Sequence, residues 1–393
     1  MENSAGYNLV IMAEVFILSD NIVSPISKTT AGNFACLLRS VSGIKVHNDG
    51  MLSAQPFCAS LFENNTVILE EDDADRYTKF ERLLIASVKD ALQNCVVDTK
   101  SEKTILIVSS TKGNIGLLET EERNNKLDQR IALHSSAAIV AKYFNFVNEP
   151  LVVSNACISA LLAILTGKRL IESGQYENAV IVGADIISKF VLSGFQSFQA
   201  VSDEPCKPFD ADRKGINLGE GAATIILSSN KKYCRDNNTI KISGGAVSND
   251  ANHISGPSRT GEELHQAIRK ALKQSNFEPG DIHFISAHGT ATIYNDEMEA
   301  KAITLAGMEF IPVNSLKGYY GHTLGAAGLI ESVISIQSLK QGLLLPSLGF
   351  SKPGVTTPVN VCGALLPGLY NSFLKTASGF GGCNAALVFC KQN

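Results

Sequence analysis

The sequence predicts an α/β protein with buried sheets, on three observations. Short β-branched runs alternate along the chain with longer helix-compatible segments, the pattern in which helices cover the faces of a sheet. Apolar residues make up 45% of the chain and charged residues 18%, a balance that fills a large core and excludes global disorder. The length of 393 residues calls for two or three structural units, or one large duplicated one.

In chain order, Leu9–Leu18 reads as a strand, Lys79–Asn94 as a helix and Thr104–Ser109 as a second strand. The charged run Glu119–Arg130 reads as solvated surface. Leu151–Ser154 is a strand that turns tightly into a helix apolar enough to be buried on nearly every side. That helix ends near Ser173-Gly174, and Asn178–Asp185, around the apolar run Ala179–Gly183, completes a strand–helix–strand unit. Ala222–Leu227 is the next strand. The charged segment Lys231–Asn238 marks a boundary between an N-terminal half, 1–230, and a C-terminal half, 231–393. Beyond it, Ile282–Ala287 and Ala386–Cys390 read as strands, and Glu262–Ser275, Glu297–Ala306 and Leu324–Gln341 as helices.

Composition narrows the function. A net charge of −4 gives no bulk attraction to nucleic acid. No apolar run reaches the ~18–20 residues that cross a bilayer, and Met1-Glu2-Asn3 does not open a secretory signal. The nine cysteines are odd in number, scattered and without a Cys-x-x-Cys pair. They argue against a disulfide framework or zinc site and for a reducing cytoplasm.

Four segments carry chemistry. Cys157 stands where a strand turns into the apolar helix, so unpaired amides and the positive end of the dipole favour its thiolate; a packed core cysteine is the alternative. His288 follows a buried strand directly, at the end where open α/β sheets gather ligands. Thr290 and Thr292 offer hydroxyls beside it, and Asp296 and Glu299 share a face of the next helix; a histidine satisfied by a carbonyl, with Asp296 as a helix cap, is the bland reading. Lys317 and His322, in Lys317-Gly-Tyr-Tyr-Gly-His322, share no helix face but converge if the segment turns, or else are a solvated lysine and an incidental histidine. Phe380 sits among glycines in Gly379-Phe-Gly-Gly-Cys-Asn384, either a mobile apolar gate or an ordinary hairpin turn.

In order and spacing these segments resemble the β-ketoacyl-acyl-carrier-protein synthases, in their elongating, two-histidine branch. The resemblance rests on Ala156-Cys157, His288 to Glu299, Lys317 to Gly328 and Gly379 to Asn384, with Lys207 to Arg213 and Gly219 to Ala222 in support. It implies a thiolase-type fold, two duplicated halves in α-β-α-β-α layers, assembled as a homodimer or as a heterodimer with a related subunit. It implies an acyltransferase that condenses an acyl chain on Cys157 with malonyl-acyl carrier protein in fatty acid or polyketide synthesis. His288 and His322 would stabilise the enolate, and Lys317, balanced by Glu299, would orient them. Amides of Cys157 and Phe380 would hold the oxyanion, Thr290 and Thr292 would bond the pantetheine arm, and Phe195 would contact substrate. No metal or resident cofactor is implied, because phosphopantetheine arrives on the carrier protein. Carriers of this family are acidic, which makes Lys126, Arg130, Arg213 and Lys214 candidate docking residues.

Departures from the family pattern are Cys383, where Thr or Ser is usual, and Ser378, where an aromatic is common. The stretch from Gly113 to Cys157 also looks short. A non-catalytic chain-length factor shares the fold but lacks the nucleophile, so Cys157, His288 and His322 argue against that alternative.

Overall fold

The computed structural model describes residues 13–63, 65–69, 76–233, 239–251 and 256–392. The first half builds a five-stranded sheet from β1 (Phe16–Val23), β2 (Thr104–Ser109), β3 (Leu151–Val153), β4 (Asn178–Asp185) and β5 (Gly221–Ser228). Every residue of β2, β4 and β5 is buried, which is why they read as continuous apolar runs. Their order is β3-β2-β4-β5-β1. β2 runs parallel to β3 and β4, while β5 runs antiparallel to β4 and β1.

The second half repeats this with β6 (Ile240–Asn249), β7 (Phe284–Ser286), β8 (Val313–Asn314), β9 (Ser372–Gly379) and β10 (Cys383–Lys391). The order is β8-β7-β9-β10-β6, with the same succession of parallel and antiparallel neighbours. Strand for strand, the two halves have one topology. They join edge to edge where β1 meets β6, at Phe16 opposite Lys241 and Ile17 opposite Ile240.

Helices complete five layers. Outside the first sheet lie α1 (Lys79–Gln93) and α2 (Leu133–Tyr143), around Phe80, Leu83, Leu84 and Val88. Thr78 and Glu81 close a reciprocal capping box at the start of α1, satisfying its first amides. On the inner face of that sheet lies α3 (Ser159–Glu172), and outside the second sheet lie α4 (Glu262–Ser275) and α5 (Ile293–Leu305). The last helix, α6 (Ala327–Gln341), packs beside α3 between the sheets. A side chain at Gly328 would come within 2.9 Å of Leu161 on α3, so glycine there sets how closely the two helices approach. The predicted α/β layering is the observed one.

Some boundaries differ. The strand expected at Leu9–Leu18 begins at Phe16 and continues to Val23; residues 9–12 lie outside the described residues. Its polar middle hid it: Ser19 donates to the Ala91 carbonyl and Asn21 accepts from the Thr30 amide, which satisfies both inside the fold. The helix expected from Glu297 starts at Ile293, and the one expected from Leu324 opens with a tight turn at Leu324–Ala326. Of the charged segment Lys231–Asn238, residues 234–238 lie outside the described residues.

Candidate active site

The nucleophile loop is built from β3. Ala156 adopts a left-handed backbone (φ 43°), and Cys157 follows it, two residues ahead of α3. Ser159 stabilises the bend: its hydroxyl accepts from the Asn155 amide at 2.8 Å and donates to the Ala156 carbonyl at 2.6 Å. The helix start was expected to favour the thiolate. Instead, burial, reinforced by Cys383, pushes the Cys157 thiol up to about 12, against the opposing Lys317 charge and Phe380 amide. Cys157 is 8% exposed, and lost hydration outweighs the helix end.

His288 is set by two carboxylates. Glu299 accepts the amides of His288 (2.8 Å) and Gly289 (2.7 Å) and the Thr376 hydroxyl (2.6 Å). Asp296 accepts the amides of Thr290 (2.9 Å) and Phe209 (2.7 Å), and burial pushes its carboxyl up to about 7. Both acids therefore shape the loop after β7.

Lys317 is fully buried. Its ammonium donates to the His288 carbonyl at 3.0 Å and pairs with Glu331 on α6. The expected partner, Glu299, is already bound by two amides and a hydroxyl, so Glu331 takes that place. Sequence reasoning missed Glu331, and with it Lys375 and Thr376. A lone acid within Gly328-Leu-Ile-Glu331-Ser-Val-Ile334 was the available signal, since a charge in an all-round apolar helix needs a buried partner.

These elements converge on a triad. Cys157 Sγ and one ring nitrogen of each of His288 and His322 lie within 4.8 Å of one another. The imidazoles meet edge to face with centroids 5.2 Å apart. His288 Nδ1 and both ring nitrogens of His322 are buried with no protein hydrogen-bond partner, free to act on a substrate. Burial first and Lys317 second hold both histidines well below the usual histidine range. Each is neutral at pH 7, with one N–H to donate and one lone pair to accept. Among the described residues this is also the one cluster with metal-site donor types, but the Lys317 and Lys375 ammoniums near both imidazoles oppose a dication there.

The triad lines a cavity of about 390 Å³, together with Phe195, Thr290, Thr292 and Phe380. Phe380 is 36% exposed, stacks on Phe195 at 5.6 Å and meets the edge of Phe198 at 5.3 Å, so aromatic rings roof the nucleophile. The turn beyond it needs glycine at 382, where φ is 75° and a Cβ would overlap the Asp250 carbonyl. The Thr290 and Thr292 hydroxyls are 2.8 Å apart, bonded to each other beside the cavity.

The four docking candidates separate. Lys214 is exposed and lines the cavity, and Lys126 is exposed. Arg213 is buried: it donates to the Asp210 and Gly354 carbonyls and lies 3.8 Å from Asp296 and 3.5 Å from Glu297. Arg130 is paired through two nitrogens with the buried Glu81. Both arginines hold structure, and neither is free to meet a partner.

The family model described as beta-ketoacyl synthase, N-terminal domain, matches residues 35–232, and its C-terminal counterpart matches 240–351. The chain is 34% identical over 255 residues to 3-oxoacyl-[acyl-carrier-protein] synthase 2 of Rhizobium meliloti (strain 1021), covering 60% of this chain and 59% of that one. Across the first curated relatives, the matched stretch spans 59–66% of their length. A β-ketoacyl synthase from Burkholderia phymatum superimposes with a TM-score of 0.88 at 21% identity, over 97% of this chain and 100% of that one. A ketosynthase of Xenorhabdus doucetiae, in complex with its chain length factor, gives 0.84 at 24% identity, over 97% and 98%. These two share the thiolase-type fold.

Proposed function

The chain belongs to the β-ketoacyl synthase family, and from that premise we propose that it is an acyltransferase catalysing decarboxylative condensation between an acyl group on Cys157 and malonyl-acyl carrier protein. The product is a β-ketoacyl-acyl carrier protein two carbons longer, in fatty acid or polyketide synthesis. The observation that carries this reading is the approach of Cys157 Sγ and the two histidine rings to within 4.8 Å.

The thiol rests protonated, so acyl transfer begins as a neutral imidazole accepts its proton while sulfur attacks the thioester carbonyl. The tetrahedral oxyanion is held by the amides of Cys157 and Phe380. The departing pantetheine thiolate recovers the proton, which leaves the histidine neutral again. Malonyl-acyl carrier protein then enters, and its carboxylate leaves as carbon dioxide. The resulting enolate oxygen receives N–H donors from His288 and His322, each worth about 2.7–4 kcal/mol when aimed at developing charge. The enolate carbon attacks the acyl-Cys157 carbonyl, the Cys157 thiolate is expelled, and one proton taken from solvent restores the resting thiol. No metal or resident cofactor enters this cycle. Thr290 and Thr292 would bond the pantetheine arm, and Phe195 with Phe380 would flank the acyl chain.

The intact nucleophile favours this over a non-catalytic chain-length factor. We further propose a division into halves 1–230 and 231–393, a cytoplasmic setting, and assembly as a homodimer or with a related subunit. No helix among the described residues is long and apolar enough to cross a membrane. The test is intact-mass analysis after mixing the protein with acyl- and malonyl-acyl carrier proteins. The expected result is an acyl adduct on Cys157 that disappears as a carrier product two carbons longer forms. Carrier-bound acyl groups that never reach Cys157 would refute the reading.

A further inference from the structure

Lys317 is only half of the positive charge near the triad. Lys375, on β9, is fully buried; its ammonium donates to the carbonyls of Ser286 (3.0 Å), Ala287 (3.2 Å) and Thr376 (2.7 Å) and lies 2.8 Å from Glu331 Oε2. Lys317 holds the next carbonyl, that of His288, and pairs with the other oxygen of Glu331. Two ammoniums thus grip three consecutive carbonyls, Ser286 to His288, and share one carboxylate. Burial, and after it the Lys317 charge, hold the Lys375 ammonium below the usual lysine value, against the opposing Glu331 carboxylate. Three carbonyls and a carboxylate around one nitrogen are still the surroundings of a charged amine, which has three protons and no lone pair.

We propose that Lys375 is a second positioning residue of the site, clamping the carbonyl run that sets His288 and placing a fixed positive charge near both imidazoles. The assignment rests on the condensing reading, in which that charge keeps each histidine able to accept the thiol proton and then donate to the enolate. The charged and titratable groups around the pair are Cys157 ahead of α3, Glu299 on α5, Lys317, Glu331 on α6 and Lys375. Of these, Lys317 and Lys375 both oppose protonation of the two rings.

The test reads the imidazoles without relying on turnover. Diethyl pyrocarbonate modifies unprotonated imidazole, and peptide mass spectrometry of His288 and His322 across pH 5–8 reports their titration. In the wild type the rate stays flat towards the acid end. In Lys375→Met the midpoint rises by about one pH unit or more into the range measured, so modification at pH 5 falls about twofold or more. Lys375→Gln keeps amide donors for the carbonyls but no charge, and serves if the methionine variant does not fold. Its midpoint moves the same way, whereas a wild-type midpoint in Lys375→Gln would overturn the proposal. Condensation is assayed alongside on the wild-type protein. A moved midpoint with no condensation would sink the condensing reading and leave the charge effect standing; condensation with an unmoved midpoint would sink only the role of Lys375.

Discussion

At Cys157 the chemistry starts from a thiol that holds its proton well past neutrality. With the thiol pushed up to about 12, alkylation of Cys157 by iodoacetamide should keep rising from pH 7 through 9.5, close to tenfold per unit. A plateau near pH 8.5, read on the Cys157 peptide, would contradict the burial argument. Cys157→Ala should abolish acyl transfer. Cys383→Ala should retain most of it, because Cys383 only leans on the Asn155 and Phe380 carbonyls at 3.8 and 3.4 Å. In Cys157→Gln, malonyl decarboxylation should persist, and adding His288→Ala or His322→Ala should lower it about 10²–10³-fold, followed as carbon dioxide release. Cys157, His288, Lys317 and His322 were legible in the sequence because each sits at the end of an element inside a spaced motif. Lys375 was not, since a lysine in a strand reads as a solvent-facing alternate residue until the strand is known to be covered on both faces. The Glu331 pairing was half visible: a lone acid in an apolar helix called for a buried partner, but which partner depends on separate elements, with Lys317 held in the short turn at Lys317–Tyr320.

Among the elements, the strands buried on both faces were read closely: β2 and β4 match the expected Thr104–Ser109 and Asn178–Asp185, and β5 extends its expected range at both ends. The misses have a common cause. β6 carries Gly244 and Gly245, and β9 carries Lys375, residues that lower strand propensity and survive because packing and buried partners replace it. Gly244 lies so close to the Ala271 carbonyl on α4 that any side chain would overlap it. In the central layer, Gly328→Val should force α6 away from α3 and lower stability by about 1–3 kcal/mol in urea unfolding. Asp296 on α5 gives a pH test. Its folded value, raised from 3.8 to about 7, means the folded state holds a proton that the unfolded chain has released. Its contribution is fully present below about pH 4 and is lost as pH rises towards 7, at up to about 1.4 kcal/mol per unit. The melting temperature of wild type minus that of Asp296→Asn should therefore fall between pH 5 and 7.5, and a constant difference would contradict the raised value.

Over the whole molecule, the net charge of −4 gives no bulk attraction to an acidic carrier, so the proposed reaction would rely on local positive groups for its recognition. Lys214, with 59% of its side chain exposed, lies at the cavity. Lys214→Glu should raise KM for carrier-bound substrate and flatten its salt dependence, while turnover of a short pantetheine thioester stays near wild type. Equal loss on both substrates would assign Lys214 to the cavity wall alone. The repeated topology has a consequence of another kind. Cys157 follows β3, and Lys317 and His322 follow β8, the strand that occupies the same place in the other half. A pair of identical halves would have carried the same side chain at both loops, two thiols or two imidazoles facing each other. The repeated topology sets where the two loops stand, and different residues fill them, so a thiol on one side and an imidazole on the other meet at a site that neither half could build alone.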